Sequence, residues 1–252
     1  MRRTVAISIV AALLAIVLGF IVYASTPFTA EADALESVTA DPAITLTESD
    51  LAVVLAPETP TGDGLVVMAG ARVEPAAYAA KLSGLVDAGV TVVIARPVLN
   101  FAILEFRPLS TFTDLAPSVN RWAVGGHSLG GVRACQYVAD DAAVSDDAAG
   151  APADDPSLVG LVLLGSYCSA DLASSDIPVL SLSGENDGLS TPEKIEANAH
   201  LLPSDATFVE IPGANHAQFG DYGVQPGYGE SSATDAAVTT AITTAVLELL
   251  GR

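Results

Sequence analysis

Gly126-His127-Ser128-Leu129-Gly130 decides the reading of this chain. It follows a short apolar run, Trp122–Val124, read as a strand, and opens an Ala-containing stretch with helical spacing, Leu129–Ala139. A serine between these elements sits on a tight strand-to-helix turn. The glycines flank it because the turn leaves no room for Cβ atoms. Its Oγ is pushed outward, and the helix N-terminus favours negative charge developing beside it. The pentapeptide alone is moderately specific; strand before and helix after make it strong.

Working outward, short apolar runs alternate with helical patterns. Leu65–Met68, Thr91–Ala95, Val159–Leu164, Ile177–Leu182 and Phe208–Ile211 read as strands. Pro75–Ala88, Pro192–Leu202 and Ala233–Leu250 read as helices. Ala43–Thr47 and Leu51–Ala56 flank Glu48-Ser49-Asp50 and predict a hairpin, followed by a turn over Pro57–Gly64. Arg96–Asn120 is mixed, with a short helix expected around Phe101–Phe106. The fold class is therefore α/β, a mostly parallel sheet with helices on both faces. Asp140–Asp155, with six Asp among Ala, Gly and Pro, reads as a solvated loop; the alternating acids of an EF-hand are missing.

A serine hydroxyl is a weak nucleophile. It needs a base, and the base needs an orienting acid. In such a sheet both belong on loops past strand C-terminal ends. Asp187 lies five residues after Leu182, and His216 five residues after Ile211. His127 is inside the turn and His200 lies late in a helix, which leaves His216 as the expected base. Asp187 is the expected acid, with Asp171 and Glu185 as rivals. The backbone N–H of Leu129, and one from Ala69-Gly70-Ala71-Arg72 after the first core strand, are expected to form an oxyanion hole. There Gly70 permits close approach and Ala71 is the preferred donor.

The chain resembles the α/β-hydrolase superfamily, and most closely its bacterial fold-5 group. The order Ser128, Asp187, His216 is that superfamily's order. Met68–Tyr78 resembles the group's segment after the first core strand, with Ala69 and Ala71 where Pro and Gly are usual. Gly126–Gly131, Gly184–Lys194 and Asn215–Gly223 resemble its other signatures. The similarity runs from about Leu51 to the C-terminus. It implies hydrolase activity without naming a substrate, and many members carry an N-terminal membrane segment.

Here Thr4–Ala24 is a run of 21 uncharged residues. At 1.5 Å per residue it spans ~31 Å, the thickness of a hydrocarbon core. A cleavable signal peptide, with Val22-Tyr23-Ala24 before the cut, is the alternative; its apolar core is normally shorter. Arg2 and Arg3 before the run, and Glu31 and Asp33 after it, place the N-terminus inside and the rest outside the cytoplasm. The expected organisation is a signal anchor over 1–24, a tether over 25–34 and a hydrolase domain over 35–252. Only 12 residues separate Leu164 from Ile177, too few for a cap domain.

Ten Lys and Arg against 30 Asp and Glu, net −20, argue against nucleic acid. Half the residues are hydrophobic, which excludes a disordered acidic chain. Two cysteines and three histidines give little for a metal, and neither metal nor cofactor is expected. Cys135 and Cys168 fall on neighbouring elements, and export favours their pairing as a disulfide over two buried thiols.

These readings point to a membrane-attached serine hydrolase of small ester substrates. A non-catalytic binding protein of the same fold and an acyltransferase are the alternatives. Phe219, Tyr222 and Tyr228 among glycines suggest a partly mobile wall to the site, with Phe101, Ile103, Leu104 and Phe106 opposite. An open, shallow pocket for short acyl groups follows.

Overall fold

The computed structural model describes residues 2–147, 157–223, 225 and 227–252, with the side chains of 2–6 and 142–147 excepted. Among these residues eight strands form one sheet: β1 (Ile44–Glu48), β2 (Ala52–Pro57), β3 (Asp63–Met68), β4 (Thr91–Ala95), β5 (Arg121–His127), β6 (Ser157–Leu164), β7 (Val179–Gly184) and β8 (Thr207–Ile211). Their spatial order is β1-β2-β4-β3-β5-β6-β7-β8. The β1–β2 hairpin is antiparallel and β2 runs antiparallel to β4; all other neighbours are parallel. The helices are α1 (Arg2–Ala24), α2 (Ala32–Thr39), α3 (Ala79–Asp87), α4 (Ser110–Thr113), α5 (Leu129–Asp147), α6 (Pro192–Asn198) and α7 (Asp235–Leu249).

Successive side chains on a strand point to opposite faces, so each apolar strand feeds two cores. Leu65 and Val67 enter one and Val66 and Met68 the other; on β6, Val162 and Leu164 oppose Leu161 and Leu163. The first core is covered by Val38 of α2, Leu82 and Leu85 of α3, and Val238 and Ile242 of α7. The second is covered by Ala134, Cys135 and Val138 of α5 and Phe112 of α4. Doubly covered strands explain the unbroken apolar runs. Cys135 and Cys168 lie in the second core and are joined by a disulfide.

Two stretches differ from their sequence reading. The helix after Ser128 does not stop at Ala139 but runs to Asp147, so the first part of the expected acidic loop is helical. Alanine is the best helix former, and the Asp and Ala residues there extend a helix already nucleated and packed. Residues 148–156 of that stretch lie outside the described residues. The segment expected as a tether is held against the domain: Phe28 pairs with Val73, and Glu31 N–H donates to the Asp221 carbonyl (2.8 Å). The α2 helix begins within it, with Asp33 in its first turn, where the helix dipole favours an anion.

Within α1, Ile7–Ala24 is long and apolar enough to cross a membrane and is almost entirely exposed; signal sequences share this character. Its last turn packs on the domain. Phe20 and Tyr23 meet Phe101 with ring centroids 5.5 and 6.5 Å apart. Asn100 Nδ2 donates to the Ala24 carbonyl (2.9 Å), capping the helix end.

Candidate active site

Strand order reverses between β3 and β5, and open α/β sheets bind ligands beyond the strand C-termini at such a switch. Ala71, Ser128, Asp187 and His216 follow the C-terminal ends of β3, β5, β7 and β8. Ser128 follows β5 with φ 54°, a left-handed conformation that costs a non-glycine residue on the order of 1–3 kcal/mol. Its backbone is fully engaged: N–H donates to the Leu164 carbonyl (3.0 Å), and its carbonyl accepts from Gly131 N–H (3.0 Å) and Ser166 Oγ (2.6 Å). A Cβ on Gly126 would lie 2.3 Å from the Gly130 carbonyl carbon, and one on Gly130 2.0 Å from the Met68 carbonyl oxygen. The glycines are thus required by contact, as the turn argument anticipates. The Ser128 hydroxyl makes no hydrogen bond among the described residues.

His216 Nδ1 and Asp187 Oδ2 are 2.7 Å apart, with both side chains almost completely buried. The other carboxylate oxygen, Oδ1, accepts from the N–H groups of Leu189 (2.8 Å) and Ser190 (2.7 Å). The carboxylate therefore points one oxygen at the imidazole and anchors the other in its own loop. Of the rivals, Asp171 is exposed and, among the described residues, accepts only from Ala173 N–H (3.0 Å). Glu185 Oε2 accepts from Gly213 N–H (2.7 Å) and so ties the two loops together from outside. His200 is exposed, its Nδ1 2.9 Å from the Ala197 carbonyl.

His127 has a role that its place inside the turn did not reveal. It is buried against the rings of His216 (centroids 4.5 Å apart), Phe219, Tyr78 and Tyr222, and so brings His216 to the elbow. Tyr78 Oη accepts from Gly70 N–H (2.9 Å) and lies 3.0 Å from His127 Nδ1. The tyrosine hydroxyl thus links the Gly70 amide to the buried His127 ring. Burial, and then the proximity of His216, holds the His127 pKa well below the usual imidazole range. Burial likewise pushes the Tyr78 hydroxyl far up, so it stays protonated.

This bridge occupies the Gly70 N–H. Of the two loop amides expected to face a substrate oxygen, Gly70 is turned to the tyrosine and Ala71 remains. Gly70 is itself required by close approach, since a Cβ there would lie 2.9 Å from His127 Nδ1. Leu129 opens α5, where first-turn N–H groups lack intrahelical partners.

The aromatic residues expected as a mobile wall are not one. Phe219, Tyr222 and Tyr228 are buried in the first core. The Tyr228 carbonyl accepts from Gly188 N–H (3.2 Å) and His216 N–H (3.3 Å), joining the acid and histidine loops. Aromatic area in reach of a core is buried rather than left wet. In the opposite segment, Ile103 and Phe106 are exposed, whereas Glu105 is wholly buried against Arg107. Burial raises the Glu105 pKa, but hydrogen bonds and charge from Arg107 outweigh it and hold it below the usual range.

A profile of the alpha/beta hydrolase family matches residues 64–240. The fold is similar to that of an esterase from Thermogutta terrifontis (TM-score 0.56, 16% identity, covering 81% of this chain and 99% of that one). It is also similar to Est1E from Butyrivibrio proteoclasticus (TM-score 0.53, 14% identity, covering 83% and 100%). Comparison with curated protein sequences finds no match. The family match covers well over half of the chain and agrees with the sheet order and the glycine-flanked turn. The chain belongs to the alpha/beta hydrolase family.

Proposed function

We propose that the protein is a serine esterase, held by residues 1–24 in the cytoplasmic membrane with its catalytic domain, 35–252, outside. The observation that carries this reading is the 2.7 Å His216–Asp187 contact, buried beside the strained turn that bears Ser128. Ser128 Oγ attacks the ester carbonyl carbon while His216 Nε2 takes its proton. The carbonyl π electrons move to oxygen, and the oxyanion is met by the N–H groups of Leu129 and Ala71. Collapse expels the alkoxide, which leaves as alcohol with the proton from His216. Water then attacks the acyl-enzyme by the same steps, releasing acid and free Ser128. Asp187 holds the imidazole in the tautomer with its proton on Nδ1 and stabilises the imidazolium.

The residues between β6 and β7, 165–178, contain neither helix nor strand, which supports a site without a cap and a preference for short acyl groups. Turnover of p-nitrophenyl esters is expected to peak between acetate and butyrate and to fall by octanoate. Ser128→Ala and His216→Ala should each lower turnover by on the order of 10⁴–10⁶-fold, the double variant no further, because the residues act as a unit. Full activity in Ser128→Ala, or a maximum at dodecanoate, would refute the reading.

A further inference from the structure

Beyond Ala71 the loop after β3 continues to Arg72, and the two residues line a cavity of about 350 Å³ with Tyr23, Phe28, Phe101 and Gln225. One wall is thus the last turn of α1. Among the described lining residues, Arg72 alone is charged. Its guanidinium carbon lies 3.8 Å from the centre of the Tyr23 ring and 5.1 Å from that of Phe28. Nη2 donates to the Thr26 carbonyl (2.5 Å) and to Thr26 Oγ1 (3.1 Å). Nε is buried without a partner, and Nη1 has none among the described residues.

This is unusual in a chain with a threefold excess of acids. Lys81, Arg96, Arg107, Arg121, Arg133 and Arg252 each pair with a carboxylate; among the described residues Arg72 and Lys194 pair with none, and Lys194 is exposed with its Nζ donating to the Leu189 carbonyl (2.8 Å), whereas Arg72 has a buried Nε. Its backbone is also held at φ 58°. That conformation is unfavourable for an arginine. It is fixed by Arg72 N–H donating to the Asn100 carbonyl (2.7 Å) and by Phe28 N–H donating to the Arg72 carbonyl (2.6 Å). Two adjacencies tie this cation to the reaction centre. Gly70, two residues earlier, touches His127 next to Ser128. Burial raises the Tyr228 pKa and the Arg72 charge opposes that rise; the Tyr228 ring lies 5.4 Å from that of His216.

An immobilised, uncompensated guanidinium in an aromatic-walled cavity beside an oxyanion amide is suited to one acceptor-rich monoanion. We propose that the cavity is a carboxylate subsite, and that the substrates are esters carrying a carboxylate a few bonds from the scissile carbonyl, bound by Arg72. The proposal rests on the esterase reading above.

The test uses the full chain in a nonionic detergent and two matched pairs. Monoethyl succinate against ethyl butyrate places the carboxylate on the acyl side. 4-Acetoxybutanoate against butyl acetate places it on the alcohol side. In one pair the carboxylate ester should have at least about a tenfold higher kcat/KM. Arg72→Gln should lower that ratio by about tenfold or more, and Arg72→Lys, which keeps the charge but not the planar fork, should lower it less. Separately, titration of Ser128→Ala with monoethyl succinate and 4-acetoxybutanoate should show binding of one of them that Arg72→Gln removes. No preference for the carboxylate in either pair, or equal losses on both members in Arg72→Gln, would overturn the subsite, leaving Arg72 as a strut for Thr26 and Tyr23. Binding by Ser128→Ala without turnover of any ester by the unaltered protein would instead refute the esterase reading and leave the subsite standing.

Discussion

On the β5–β8 side of the site, Ser128, Asp187 and His216 are held by backbone hydrogen bonds, close glycine contacts and buried rings. On the β3–β4 side, Arg72, Leu99 and Asn100 take up left-handed conformations, Phe106 is exposed, and the partner is the end of α1. All four non-glycine residues with positive φ among the described residues lie at this end of the sheet, three of them on the second side. On the proposed reading, the first side keeps the reacting groups in place. The second adds side-chain contacts to the end of α1, among them Phe101 with Phe20 and Tyr23 and Asn100 with the Ala24 carbonyl, and on the proposed reading it selects the ligand.

Beyond Ser128 and His216 themselves, the largest expected difference concerns Asp187. Asp187→Asn should reduce kcat by about 10³–10⁴-fold through loss of the correct imidazole tautomer. Asp171→Asn and Tyr23→Ala, the latter on the second side, should fall far short of that; a comparable loss from either would break the division. Steady-state kinetics on p-nitrophenyl butyrate decides it.

The disulfide joins α5, which follows the elbow, to the loop after β6, so it staples the first side. Closing a loop of separation 33 is worth ~3.7 kcal/mol in the chain-entropy account. Replacing Cys135 and Cys168 together by alanine should shift the denaturation midpoint accordingly. An unchanged midpoint would show that the core around them carries the side alone.

Tyr78 spans the two sides, with Gly70 on one and His127 on the other. Tyr78→Phe leaves Gly70 N–H and His127 Nδ1 buried and unpaired, at a cost of roughly 1–3 kcal/mol. Chemical denaturation measures it, and no change would mean that the bridge is dispensable. The smallest effect is on pH dependence. His127 is neutral in the fold, while an unfolded histidine gains a proton near its ordinary pKa, ~6.5. Its contribution is therefore complete above that pH and falls as pH drops below it, by up to about 1.4 kcal/mol per pH unit. Between pH 6.5 and 5.5, His127→Gln should show a shallower decline than the unaltered protein; an equal slope would contradict a depressed His127 pKa.

These contrasts also explain which parts could be read from the sequence. The elbow, the parallel strands and the loops bearing Asp187 and His216 are local: a glycine pattern, a two-residue alternation, a fixed distance past a strand end. The Tyr78–His127–Gly70 bridge joins three positions spread over 57 residues, and only the fold brings them together. The burial of Phe219, Tyr222 and Tyr228 depends on rings distant in sequence, Phe28, Tyr78 and His127 among them, which a glycine-rich local pattern conceals. Glu105 and Phe106 reverse the usual rule, because the carboxylate meets Arg107 and the ring has no core in reach. The prolonged α5 was hidden because Asp-rich composition speaks for solvent exposure and not against a helix.

The central claim is that Ser128 is a nucleophile activated by His216. Fluorophosphonate labelling of the full chain, with the modified residue located by mass spectrometry, tests it most directly. The account predicts a single adduct on Ser128, absent from Ser128→Ala and nearly absent from His216→Ala. No adduct, or one on another serine such as Ser166, would contradict it.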